Sequence, residues 1–286
     1  VVVSAAWLEA NLGNEGLRVV DVRGKVLPPG SKPRYIAKRE DYERGHVPGA
    51  VFVDWTTDIV DEKDPIPVQI AQPDAFARKM EELGIKDRTL VVAYDDYNHV
   101  FAGRFAWALR FYGHDDVRIL DGGFSRWVAE GRPTTRELPA PPAPARFTAR
   151  TRSALRRTAD EVARALGDAG FLLIDARTPE QYVGSASAAS RAGHIPGARN
   201  VHYAKLVDAA GTFLPVGELR RVFAEAGIDV DTLPREVVVY CNGGVTCTVP
   251  LAALQMLGRG DVAVYDGSWN EWGNDPSRPL TTGPKP

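Results

Sequence analysis

A chain of 286 residues, 44% of them hydrophobic, is too long for one average domain and has enough apolar material for two cores. Its formal net charge of −2 excludes a general electrostatic pull toward nucleic acid or an anionic membrane, and no apolar run approaches the ~20 residues of a membrane span. Cys241 and Cys247 are the only two cysteines, too few for a disulfide framework, and the N-terminus lacks a signal-peptide pattern. The chain therefore reads as cytoplasmic, and a cysteine in a loop reads as chemical.

Taken in order, the chain presents one unit written twice. Leu17-Arg18-Val19-Val20-Asp21-Val22-Arg23 is matched by Leu172-Leu173-Ile174-Asp175-Ala176-Arg177, and Gly45-His46-Val47-Pro48-Gly49-Ala50 by Gly193-His194-Ile195-Pro196-Gly197-Ala198. Val91 to Tyr94 is matched by Val237 to Tyr240, and Asp121-Gly122 through Trp127 by Asp266-Gly267 through Trp272. The offset shrinks from 154 between Asp21 and Asp175 to 145 between Asp121 and Asp266. Four landmarks in one order with small length changes indicate a duplicated domain with insertions confined to loops. Residues 138–145, Leu-Pro-Ala-Pro-Pro-Ala-Pro-Ala, read as an extended connector. The expected division is residues 1–138, a linker at 139–150 and residues 151–286. Short β-branched runs alternate with helical patterns at 73–83 and 217–226, which predicts an α/β fold: in each copy a mainly parallel sheet with helices on both faces.

The chemistry concentrates after the last apolar run. Val237 to Tyr240 ends in Cys241-Asn242-Gly243-Gly244-Val245-Thr246, followed by a helical run through Leu257. Glycines there let the loop curl until backbone N–H groups point inward, and the helix start adds its unpaired donors. That cradle favours an anion and stabilises a thiolate at Cys241. Pro250 is tolerated only in a first helical turn, which places the helix start near Thr246 or Thr248. Ligands in such sheets bind outside the carboxyl ends of the strands, where Cys241 lies.

Asp-x-Arg at 175–177, Gly-His-Ile-Pro-Gly-Ala at 193–198, the Cys241 loop and Asp266-Gly267-Ser268-Trp269 with Trp272 together resemble the tandem-domain rhodanese sulfurtransferases over nearly the whole chain. The resemblance implies ping-pong sulfur transfer. Cys241 takes sulfane sulfur from thiosulfate or 3-mercaptopyruvate, becomes a persulfide and passes the sulfur to cyanide or a thiol. It also implies an active site at the domain interface, a non-catalytic first copy supplying one wall of the cleft, and no cofactor or metal.

Within this frame Asn242, Gly243, Gly244, Val245 and Thr246 are candidate substrate-binding residues, with Arg177 as a fixed cation and Arg191 as a substitute for the arginine that several family members carry where this chain has Gln181. The bland reading of Arg177 is a structural ion pair, since Arg23 stands at the same place in the first copy. His46 and His194 recur in both copies, as do Trp127 and Trp272; with Trp269 these read as fold-level residues. The first copy's loop, Asp95-Asp96-Tyr97-Asn98-His99-Val100, has lost cysteine and glycines and reads as a solvated, inactive turn. Cys247 reads as a small residue packed under the helix start, or as a thiol able to condense with oxidised Cys241. A phosphatase of related loop would need an arginine where Cys247 stands, and a silent binding module is at odds with one intact loop beside one degenerate one. Thiosulfate-type loops of the family often place basic residues at Asn242 and Gly243, and mercaptopyruvate-type loops often place serine at Gly243. This chain matches neither, and the reading leans to thiosulfate, with Gly243→Lys expected to lower its KM and Gly243→Ser to improve use of mercaptopyruvate.

Overall fold

The computed structural model describes residues 1–28 and 30–286. They form two compact units: residues 1–62, 70–152 and 209–212 in the first, and 63–69, 153–208 and 213–286 in the second. The proline-rich segment at 139–150 groups with the first unit, and each unit includes a short piece of chain whose sequence lies within the other repeat.

The first unit runs β1 (Val2–Val3), α1 (Ala5–Asn11), β2 (Leu17–Asp21), β3 (Gly24–Val26), β4 (Tyr35–Ala37), α2 (Arg39–Arg44), β5 (Val51–Phe52), α3 (Pro73–Glu82), β6 (Leu90–Tyr94), α4 (Val100–Phe111), β7 (Val117–Leu120) and α5 (Gly123–Ala129). The second runs β8 (Arg156–Arg157), α6 (Ala159–Ala165), β9 (Phe171–Asp175), α7 (Pro179–Val183), β10 (Arg199–Asn200), α8 (Val216–Glu225), β11 (Glu236–Tyr240), α9 (Thr248–Met256), β12 (Ala263–Tyr265) and α10 (Ser268–Trp272). The five-stranded sheets have orders β1-β7-β6-β2-β5 and β10-β9-β11-β12-β8, and every pairing within them is parallel. Read from opposite edges these are the same topology, as the repeat requires. The antiparallel β3–β4 pair belongs to the first unit alone.

Local sequence explains the element starts. Ser4 caps α1, Thr158 with Glu161 closes a reciprocal capping box on α6, and α7 opens on Thr178 followed by Pro179. The central strands β6 and β11 are buried from their second residue onward on both faces, which is why their apolar runs do not alternate with polar residues. Among the described residues no helix is long and apolar enough to cross a membrane.

The repeated motifs do repeated structural work. Asp21 pairs with Arg23 at 2.7 Å and accepts from Tyr94 Oη at 2.7 Å; Asp175 pairs with Arg177 at 2.6 Å and accepts from Tyr240 Oη at 2.7 Å. The His46 ring stacks on Tyr42 with its Nδ1 2.8 Å from the Tyr42 carbonyl oxygen, and His194 does the same on Tyr182 at 2.8 Å. Burial lowers the His194 pKa, so a neutral ring pins the turn. Trp127 donates to the Pro133 carbonyl and Trp272 to that of Pro279, both rings fully buried.

Candidate active site

The central strand β11 carries Cys241 past its carboxyl end into the loop. Gly244 adopts φ +72°, a left-handed conformation that costs a residue with Cβ about 1 kcal/mol or more. α9 then begins at Thr248 and places Pro250 in its first turn. The Thr248 hydroxyl and amide both bond the Val245 carbonyl, at 2.7 and 3.1 Å, locking the far end of the loop.

Cys241 is 1% exposed. Burial by itself would raise its pKa. Hydrogen bonds from the Cys247 and Thr246 side chains and from the Cys247 and Gly243 amides outweigh burial and bring the thiol down to about 5. At neutral pH the sulfur is a thiolate held by four donors, with the N-terminus of α9 adding its dipole. Such a sulfur has the character of a nucleophile.

A hydroxyl absent from the sequence-level candidates organises the loop from below. Ser268 Oγ accepts from the amide of Cys241 at 3.2 Å and of Gly244 at 3.0 Å, and donates to the Tyr265 carbonyl at 2.7 Å. The amides of Trp269 and Asn270 return to the carbonyls of Cys241 and Asn242, at 3.0 and 2.8 Å. The signal was present: at the offset of 145, Ser268 stands where the first repeat has Gly123, a change that accompanies the change from Asp95 to Cys241. The segment at 63–69 was also missed. Gln69 donates to the Asp266 carbonyl at 3.2 Å, and a Cβ on Gly243 would come within 2.8 Å of Val68 Cγ2 and 2.9 Å of Asn270 Nδ2. Gly243 is thus a point of close approach, which undercuts the expectation that lysine or serine fits there.

Of the loop residues Asn242 to Thr246, Gly243 reaches the sulfur through its amide and Thr246 through its side chain, while the Gly244 amide is held by Ser268 and Asn242 Nδ2 lies 3.4 Å from Gln181 Oε1. The two arginines are both engaged within the fold. Arg177 is 2% exposed, its Nε and Nη2 donate to Asp175, Nη2 also donates to the Gly193 carbonyl at 2.8 Å, and its guanidinium lies 4.3 Å from the Trp269 ring centroid. Burial opposes its charge, yet the Asp175 carboxylate and Tyr240 hold its pKa above the ordinary arginine value. Arg191 donates to the backbone carbonyls of Arg278 at 2.8 Å, Trp272 at 2.7 Å and Asp275. Both cations fasten the chain, and the buried Nη1 of Arg177 is left with no hydrogen-bond partner.

The first repeat's loop is not a solvated turn. Asp95 is 1% exposed, and its carboxylate accepts from the amides of Tyr97, His99, Phe101 and Ala102 at 2.8, 3.2, 2.8 and 2.9 Å. The loop kept its inward amides, and its own side chain fills the place of the anion. The Asp96 carboxylate instead pairs with Lys38 at 2.7 Å.

Comparison with known proteins agrees with this geometry. The rhodanese-like domain family matches residues 4–130 and again 158–275. The sulfur carrier protein TtuD of Thermus thermophilus is 36% identical over 99% of this chain and 97% of its own length, and the thiosulfate sulfurtransferase of Corynebacterium glutamicum is 35% identical over 99% and 90%. The crystal structure of SseA from Escherichia coli, a 3-mercaptopyruvate sulfotransferase, superposes with a TM-score of 0.82 at 31% identity, covering 94% of this chain and 98% of that one. With the family pattern present in both repeats and the cysteine loop intact in the second, the chain belongs to the rhodanese family in its tandem-domain sulfurtransferase form.

Proposed function

We propose that this protein is a thiosulfate sulfurtransferase in which Cys241 carries the sulfur. The observation that carries the reading is the Cys241 thiolate, buried and held by the loop's own donors. The thiolate attacks the sulfane sulfur of thiosulfate, a sulfur–sulfur bond forms as the one to the sulfonate sulfur breaks, and sulfite leaves. A thiol or cyanide then attacks the outer sulfur of the persulfide and restores the thiolate. The loop Asn242 to Thr246 binds the donor, the Gly244 amide excepted because Ser268 Oγ already holds it, and the reaction belongs to the cytoplasm, whose reducing poise keeps Cys241 free.

Thiosulfate is favoured because it arrives with a labile sulfane sulfur and needs no deprotonation, and because the glycine at 243 carries no hydroxyl to assist a thiol donor. The likeness to SseA favours 3-mercaptopyruvate as the second reading. Intact mass after incubation with each donor, before any acceptor is added, tests both. Gain of one sulfur atom from thiosulfate, absent in Cys241→Ser, is the expected result. A clearly higher kcat/KM for 3-mercaptopyruvate would move the protein to the second reading, and sulfur transfer undiminished in Cys241→Ser would sink the assignment of the cysteine.

A further inference from the structure

Val68 unites two observations that ordinary packing does not explain. It is a buried β-branched residue at φ +59°, an outlier that persists only where the surroundings impose it. Its Cγ2 also stands 2.8 Å from the place a Cβ on Gly243 would take, so the methyl group rests on the Gly243 backbone. Among the described residues the other non-glycines at positive φ are Asn98 and His99 in the first repeat's loop and Ser268 under the Cys241 loop. Strain thus gathers at the two equivalent loops. What holds it at residue 68 is the next side chain. Gln69 is buried, its Nε2 donates to the Asp266 carbonyl at 3.2 Å, and its Oε1 accepts from Arg156 Nη2 at 3.2 Å, while Arg156 Nε lies 3.3 Å from the Asp266 carboxylate. Residues 63–69 are in this way fastened within the second unit, to the turn that supplies Ser268.

Gly243, which Val68 covers, has no side chain to restrain its own backbone. The carbonyls of Cys241 and Asn242 accept from the amides of Trp269 and Asn270, at 3.0 and 2.8 Å, and a planar trans peptide points its N–H away from its carbonyl. The Gly243 amide therefore faces away from α10, the orientation in which it donates to the Cys241 sulfur. Turning that peptide over requires only ψ of Asn242 and φ of Gly243, and glycine accepts either sign of φ. The Val68 methyl group stands in the way. Of the two groups a Cβ at 243 would meet most closely, Asn270 Nδ2 at 2.9 Å ends a side chain that can swing, whereas valine is stiff at χ1.

We propose that Val68 is a positioning residue of the sulfur site: its methyl group holds the Asn242–Gly243 peptide with the N–H turned to Cys241 and confines residue 243 to glycine. The inference rests on the sulfurtransferase reading for its purpose but not for its test.

The test is a double-mutant cycle in the full chain over Val68→Ala and Gly243→Ala, with Val68→Gly beside it. It is read as the denaturation midpoint and as the pH dependence of Cys241 alkylation by iodoacetamide. Gly243 lies outside the left-handed region, so alanine there is opposed by space alone. Gly243→Ala should lower the denaturation midpoint, and adding Val68→Ala should restore most of the loss, a coupling that independent sites do not show. Val68→Ala and Val68→Gly should both move the alkylation midpoint upward from about 5, by roughly one pH unit, as the Gly243 N–H turns away from the sulfur. Val68→Gly, relieved of strain, should be more stable than Val68→Ala yet release sulfite from thiosulfate in a single turnover just as slowly, several-fold below wild type. A valine needed for the fold alone would make the more stable variant the faster one. Additive denaturation midpoints, alkylation at the wild-type midpoint in both Val68 variants, or sulfite release that follows stability would overturn the proposal. Should Val68→Ala fail to fold, Val68→Gly takes its place in the cycle. Denaturation and alkylation need no sulfur donor, so absence of thiosulfate turnover in every form would count against the functional reading alone.

Discussion

Ser268 Oγ stands 3.2 Å from the backbone nitrogen of Cys241 and accepts its proton together with that of Gly244. Ser268→Ala leaves two buried N–H groups without an acceptor, at a cost of about 1–3 kcal/mol each before relaxation. Ser268 also adopts φ +52°, which glycine tolerates better than alanine. Thermal melts should therefore rank wild type above Ser268→Gly and Ser268→Ala lowest, whereas kcat for sulfur transfer should fall in both by about tenfold, on the order of one lost hydrogen bond in the reacting state. Full activity in Ser268→Gly would separate the hydroxyl from the chemistry.

The depressed Cys241 pKa fixes the sign of the acid limb. The reactive anion is present above about 5 and is protonated as pH falls through that value. Sulfite release in a single turnover with thiosulfate should be level across neutral pH and halve near pH 5. A midpoint in the ordinary thiol range, ~8.5, would show that the loop donors do not outweigh burial.

Arg177 is expected to matter for stability and not for substrate affinity. Removing one member of a buried ion pair leaves the other uncompensated and costs about 3–5 kcal/mol. Arg177→Met should lower the denaturation midpoint sharply by leaving the Asp175 carboxylate without its guanidinium, while KM for thiosulfate in the folded fraction stays near wild type. A large rise in KM with an unchanged melting temperature would restore the arginine to the substrate.

At Gly243 the structure reverses the expectation drawn from the loop's spelling. Any Cβ there must displace Val68 or Asn270, so Gly243→Lys should lose kcat/KM for thiosulfate and Gly243→Ser should fail to gain use of mercaptopyruvate. Steady-state kinetics of the two variants with both donors decide the point; a lowered KM in Gly243→Lys would mean that the side chains yield.

In the first repeat, Asp95→Ala should destabilise its unit by roughly 2–3 kcal/mol, since four amides lose a buried acceptor and α4 loses its cap. Added formate or acetate should restore part of that stability by entering the vacated cradle, measured as a shift in chemical denaturation midpoint absent from wild type. Asp95→Cys should acquire no cyanide-labile sulfur, because Gly123 offers no hydroxyl under that loop and Tyr97 and Asn98 stand in place of glycines.

Periodicity, repetition and punctuation carried most of the architecture. Apolar strand runs, the helices at 73–83 and 217–226, Pro250 in a first turn and the doubling of every landmark are local or statistical properties, and they appear as α3, α8, α9 and two copies of one sheet order. The same locality made the Cys241 loop legible, because a glycine-bearing turn between a strand and a helix has few shapes. What the sequence could not decide was where long side chains end. Arg177 and Arg191 look alike on paper whether they meet a donor or fasten the chain, and only packing commits them to Asp175, to Gly193 and to carbonyls at and beyond the end of α10. Asp95 looked solvated because charge predicts exposure, until four amides supplied what water would have given it. Ser268, 27 positions from Cys241, and Val68, far earlier in the chain, reach the loop only through the sheet's parallel crossovers and the exchange of residues 63–69 into the second unit. Hydrogen bonds and close contacts between distant positions have no period in the sequence, so the partners that tune the sulfur were settled by the tertiary structure.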